Sequence, residues 1–147
     1  MKSEWVKDIS DMHNKYGVHD WVREKIVNKD AETLQEFLNF RVSFLDEELR
    51  ETKEAVRQRD EEEVIDGLID LCVIAIGTLD ILGVDSDRAW KEVHKANMSK
   101  KVGVKESRPN PFGVPDMIKP NNWKGPNHSD NIGNTEKFLY KHSERWS

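Results

Sequence analysis

The stretch "EEEVIDGLIDLCVIAIGTLDIL", Glu61–Leu82, carries carboxylates into a run that is otherwise apolar. Val64, Ile65, Leu68, Ile69, Cys72, Val73, Ile76 and Leu79 recur at steps of one, three and four. This predicts a helix from about Asp60 to Leu82 with an apolar surface wide enough to pack on two neighbours. Gly83 stops it.

Immediately upstream, Leu34, Phe37, Leu38, Val42, Leu45, Leu49, Ala55 and Val56 follow the same spacing. They predict a helix of about seven turns that starts behind Asp30 as N-cap and ends near "RQRDEE". Further upstream, a helix over about Glu4–Tyr16 places Trp5, Ile9 and Met12 on one face and ends at Gly17, and a shorter segment covers Trp21–Val27. Downstream, "DSDRAWKEVHKANMSK" starts a further helix with Asp85 or Ser86 as cap, and with Ala89, Val93 and Ala96 or Asn97 along one side. Strand alternation is nearly absent, so the fold class expected is an all-α helical bundle.

After Lys101 the composition changes. The remainder holds all five prolines and many Gly and Asn, which predicts an extended tail. The domain reading is therefore a helical domain over residues 1–101, followed by a tail over 102–147 that packs on the bundle or on a partner subunit.

Apolar residues make up only 36% of the chain and charged residues 35%. That balance suits exposed amphipathic helices, a self-associating bundle or partial disorder better than a large buried sheet. Residues 1–90 hold 12 Lys+Arg against 22 Asp+Glu, net −10, and residues 91–147 hold 11 against 6, net +5. The acidic half argues against nucleic-acid binding. A carboxylate-rich half beside a basic tail suits a site for metal and phosphate. Cys72, the single cysteine, excludes an intramolecular disulfide and reads as a core residue. The N-terminus lacks a signal-peptide core and no apolar run reaches transmembrane length, so a soluble, cytoplasmic protein with no membrane partner is expected.

The chemistry concentrates on two helices. "DEELRE" places Glu47, Glu48 and Glu51 three and four apart on one helical face, and Glu54 extends it by a turn. On the next helix Glu63, Asp66 and Asp70 step by three and four beside Ile65, Leu68 and Ile69. Two such lines on helices joined by a short connection can face one another across an antiparallel pair. There the carboxylates repel and raise one another's pKa values unless divalent cations neutralise them. Oxygen ligands favour Mg²⁺, with Mn²⁺ as the alternative. The bland alternative is a solvated face in which Arg50, Lys53 and Arg57 pair with the glutamates. Asp66 and Asp70 resist that reading, because aspartate is a poor helix former and both lie in an apolar stretch. Asn97 and Lys100, with Lys95 and Lys101 nearby, could contact nucleotide or phosphate, or could simply form a basic helix C-terminus.

These residues resemble the all-α nucleoside triphosphate pyrophosphatase superfamily of MazG-like proteins, phosphoribosyl-ATP pyrophosphohydrolases and dimeric dUTPases. Glu47-Glu48-Leu49-Arg50-Glu51 looks like its EExxE motif. Glu63-Val64-Ile65-Asp66 resembles its ExxD motif, and a second frame puts the aspartate at Asp70, with Gly67 where the glutamate would stand. "EVHKANMSKK" and "DMIKPNNWKGPNH" are similar to segments of small phage and bacterial MazG-like proteins, so the likeness runs from about Met12 to His128.

The resemblance implies a four-helix core and Mg²⁺-dependent hydrolysis of a nucleoside triphosphate to monophosphate and pyrophosphate. Glu48, Glu51, Glu63, Asp66 and Asp70 would be metal ligands, and Glu47 or Glu63 would orient or deprotonate the attacking water. Asn97, Lys100, Lys101, Lys119 and Trp123 would bind substrate, although Trp123 also reads as a pin for the tail. It further implies a homodimer or homotetramer in the cytoplasm, or in the host cytoplasm of a phage-encoded protein. The rival from another class is a non-catalytic acidic helical oligomer that binds a protein partner. A narrower enzymatic rival is a pyrophosphatase for dUTP or a modified nucleotide.

Overall fold

The computed structural model describes residues 4–108, 110–113 and 116–139. Its elements are α1 (Glu4–Lys15), α2 (Val18–Val27), α3 (Ala31–Gln58), α4 (Glu61–Ile81), α5 (Ser86–Met98), β1 (Lys101–Gly103), β2 (Asp116–Ile118) and α6 (Thr135–Leu139). The expected all-α class is what the chain adopts, with one short antiparallel ladder in which Val102 pairs with Met117. Two compact units result, residues 1–86 with 132–147, and residues 87–131. Among the described residues no single helix is long and apolar enough to cross a membrane.

The helix boundaries follow local chemistry. Gly17, at φ 77°, takes the left-handed conformation that turns α1 into α2. Asp30 caps α3 by accepting from the Thr33 N–H at 3.2 Å, and Asp60 caps α4 by accepting from the Glu63 N–H at 3.1 Å. Between them Arg59 turns left-handed, and the Asp60 N–H reaches back to the Ala55 carbonyl at 3.0 Å. This tight end reverses the chain, so α4 runs antiparallel along α3.

Two close approaches fix the register of that pair. A Cβ at Gly67 would stand 2.2 Å from Thr52 Oγ1, and one at Gly77 would stand 2.7 Å from Arg41 Nη2. Arg41 donates across the same level to Thr78 Oγ1 and to the Ile74 carbonyl, each at 3.2 Å. The buried face of α4 is therefore Gly67, Ile74, Gly77 and Ile81. Much of the wide apolar surface expected from the sequence is left uncovered in the single chain. Ile65, Leu68 and Ile69 are exposed, and so is Cys72, which corrects its reading as a core residue. On α1 the buried positions are Ile9 and His13, whereas Trp5 and Met12 are exposed.

The core of the first unit joins Val22, Leu34, Ile81, Leu82 and Phe138. Leu34 and Phe138 have no exposed surface. The Asn134 N–H donates to the Leu82 carbonyl at 2.6 Å and brings α6 onto this cluster. What packs in the first unit thus extends past the compositional break at residue 101. Phe138→Ala should remove about 3–5 kcal/mol of stability, read as a lower urea midpoint with an unchanged m-value.

Candidate metal and nucleotide site

The α3–α4 register decides which acids meet. With Thr52 level with Gly67, one turn back along α3 and one turn forward along α4 bring Glu48 level with Asp70. Thr52 is buried, and its hydroxyl donates to the Glu48 carbonyl at 2.7 Å, tying that turn of α3 to the contact.

The electrostatics report the juxtaposition. The Glu48 carboxyl is pushed above its ordinary range, first by desolvation and then by the charges of Glu51, Asp70, Glu47 and Asp66. Asp70 is raised by desolvation and then by Asp66, through its charge and through a hydrogen bond between the two carboxyls. Two of the four charges acting on Glu48 come from the opposite helix.

Glu47 and Glu51 are exposed on α3. Glu63 is exposed in the first turn of α4 and is not among the charges acting on Glu48 or Asp70. Among the described residues Glu47, Glu48 and Glu51 form no ion pair, whereas Glu54 pairs with Arg57 and Gln58. Of these glutamates, Glu54 is the one with an ion pair among the described residues. The acids stand close enough to repel one another, but they do not converge on one point. The one group of three donors with ligand atoms within 4.8 Å of one another, among the described residues, is His13, His19 and Asp80.

In the second unit, α5 and the following segment gather other expected residues. The Trp123 Nε1–H donates to the Ala96 carbonyl at 2.8 Å, so the indole pins the segment to α5. Lys100 Nζ lies 5.3 Å and Lys119 Nζ 4.8 Å from the Trp123 ring centre, which brings these three together. Asn97 is partly buried as the next-to-last residue of α5, and its carbonyl accepts from the Lys100 N–H at 3.1 Å. Lys101 is exposed on β1, opposite Ile118. A cleft of about 560 Å³ beside Trp123 is lined by Glu92, Lys95, Ser99, Lys124 and Asn127 rather than by Asn97 or Lys100.

His13, His19, Asp80 and Arg41 carry interactions that helical periodicity does not announce. The signal available was Gly17, whose turn brings a histidine four residues before it and one two residues after it onto the end of α4.

The raised carboxyls have a stability consequence. Asp70 titrates above its ordinary value of 3.8 in the folded chain, so the folded state favours its protonated form and ionised Asp70 opposes folding at neutral pH. That cost fades as pH falls through the raised pKa and is gone below 3.8. Asp70→Asn should therefore raise the urea midpoint of the metal-free protein at pH 7 and leave it nearly unchanged below pH 3.5. Denaturant melts in chelator at the two pH values check this.

The family model described as phosphoribosyl-ATP pyrophosphohydrolase matches residues 16–97, more than half of the chain. Searches of curated proteins and of solved structures gave no match. The matched region spans α2, α3, α4 and nearly all of α5, including both acidic lines. The chain belongs to the phosphoribosyl-ATP pyrophosphohydrolase family, within the MazG-like all-α nucleoside triphosphate pyrophosphatase superfamily, a family of hydrolases that act on nucleotides.

Proposed function

We propose that the protein is a Mg²⁺-dependent nucleoside triphosphate pyrophosphohydrolase that converts a (d)NTP and water to (d)NMP and pyrophosphate. The family membership supports the reaction class. The observation that carries the site is the charge of Asp66 and Asp70 felt by Glu48 across the helix pair.

The donor type suits hard divalent cations, which side-chain rotation of acids on the two facing helices would have to gather. The donor atoms are carboxylate oxygens on two rigid helices, and their mutual repulsion is relieved by a positive ion. Glu48, Glu51, Asp66 and Asp70 would hold it, with Glu63 as a further ligand and Mn²⁺ as a substitute. When bound, the ion supplies neutralisation of phosphate charge and a lowered pKa for coordinated water.

Glu47 or Glu63 then orients the attacking water and accepts its proton. Water adds across the α–β anhydride, and the bond between phosphorus and bridging oxygen breaks to release pyrophosphate. Asn97, Lys100 and Lys101 bind the nucleotide. Lys119 contributes charge from the segment that Trp123 pins, while the Trp123 ring contributes shape more than stacking, since two lysines already lie over it. The exposed Ile65, Leu68 and Ile69 support a homodimer or homotetramer in which another copy covers α4. Housekeeping of the nucleotide pool places this activity in the cytoplasm.

The test is a panel of NTPs and dNTPs with Mg²⁺ or Mn²⁺, assayed for monophosphate and pyrophosphate. At least one member should be cleaved, and Asp70→Asn or Glu48→Gln should lower kcat/KM about 100-fold or more with helical circular dichroism unchanged. Failure of the folded wild-type protein to cleave any member would overturn the reading and favour a partner-binding acidic oligomer.

A further inference from the structure

We propose that His13, His19 and Asp80 form a second metal site, independent of the acidic helix pair and selective for a transition ion of the Zn²⁺ class over Mg²⁺. The donors come from three helices and meet at one point. His13 Nδ1 lies 2.8 Å and His19 Nε2 2.6 Å from the same Asp80 Oδ2. The two rings stand nearly perpendicular, at 86° with centres 6.0 Å apart, so their nitrogens approach from different directions rather than stacking. Ligand atoms from all three residues fall within 4.8 Å of one another.

The surroundings hold these donors in place. The left-handed turn at Gly17 sets His19 against His13, and the bare Gly77 admits the His13 ring, since a Cβ there would lie 3.1 Å from His13 Cε1. His13 is buried and Asp80 and His19 are partly so. A cleft of about 320 Å³, lined by His19, Asp80, Arg23, Gly83 and Asn134, reaches His19 and Asp80 from solvent, while His13 lies buried behind them. It offers an ion a path in and leaves room for water to complete the coordination.

Donor chemistry selects the ion. Two imidazoles and one carboxylate suit Zn²⁺ and its neighbours, whereas Mg²⁺ prefers oxygen alone. Without metal, Asp80 stands in for the ion as the group both rings address.

Donors around a tetrahedral Zn²⁺ sit about 3.3 Å apart, given bonds of about 2.0 Å. Loading therefore spreads the nitrogens from Asp80 by roughly half an ångström, a side-chain adjustment. His13 Nδ1 and His19 Nε2 must present lone pairs. A neutral ring moves its proton to its other nitrogen, and a cationic ring releases one proton to solvent.

The site lies about 15 Å from Asp70, ten residues along α4 at 1.5 Å each. Its bound ion staples the α1–α2 turn to the end of α4, so the effect falls on stability. The test uses the full chain carrying Cys72→Ser, stripped with chelator and titrated calorimetrically with Zn²⁺ in excess Mg²⁺. One Zn²⁺ per chain should bind and raise the melting temperature, and Co²⁺ in its place should give the visible absorption of a nitrogen-ligated tetrahedral ion.

His19→Gln, which keeps a hydrogen-bond donor for Asp80, should weaken Zn²⁺ binding about 100-fold. Glu48→Gln with Asp70→Asn should leave it unchanged, which separates this site from the acidic pair. Absence of stoichiometric Zn²⁺ binding and of the Co²⁺ band in the Cys72→Ser chain, or Zn²⁺ affinity unchanged when a folded protein also carries His19→Gln, would overturn the proposal.

Discussion

The contact of Gly67 with Thr52 sets the first unit, because the missing side chain lets α4 approach α3 closely at that level. Any side chain at residue 67 would push the helices apart or slide them. A slide of one turn would take Asp70 out of level with Glu48 and set each against a different residue of the other helix. The second close approach, at Gly77, keeps the pair aligned at the far end, where Arg41 spans the helices through Thr78 and Ile74. A structural constraint thus becomes a chemical one, since the level at which two helices touch determines which carboxylates face one another.

The facing acids oppose the fold that creates them. Glu48 and Asp70 are both raised by desolvation and by like charge, so the ionised cluster works against the metal-free state. A cation bound there removes the repulsion and contributes stability only to the folded chain. The His13–His19–Asp80 group follows the opposite logic, in which the hydrogen bonds of two rings more than offset the burial of one carboxylate and stabilise the metal-free fold.

The helices were legible because their signals are local. Asp30 and Asp60 sit where N-caps are needed, Gly17 and Gly83 where the chain turns left-handed, and apolar residues recur at helical steps between them. Both acidic lines were legible for the same reason, since i, i+3 and i, i+4 spacing is a property of one helix. Burial was less so. An apolar stripe says that a face seeks cover, not what covers it, so Cys72 read as core and lies exposed, and the wide surface at Ile65, Leu68 and Ile69 is left uncovered in the single chain.

Long-range partners were not legible at all. Phe138 fills the core from a Gly- and Asn-rich stretch, and Asp80 meets His13 across 67 residues. Neither pairing leaves a periodic mark. The match to the phosphoribosyl-ATP pyrophosphohydrolase family covers both acidic lines, while the proposed ligands rest on the helix register.

The proposed site makes a specific demand, namely that Glu48 and Asp70 act on the same ion from opposite helices. Mn²⁺ affinity, measured for the wild type, Glu48→Gln, Asp70→Asn and the double variant, tests it as a thermodynamic cycle. A shared ion predicts that each single change weakens binding strongly and that the second change adds much less than it does alone. Losses that simply add, or single changes without effect, would contradict the account.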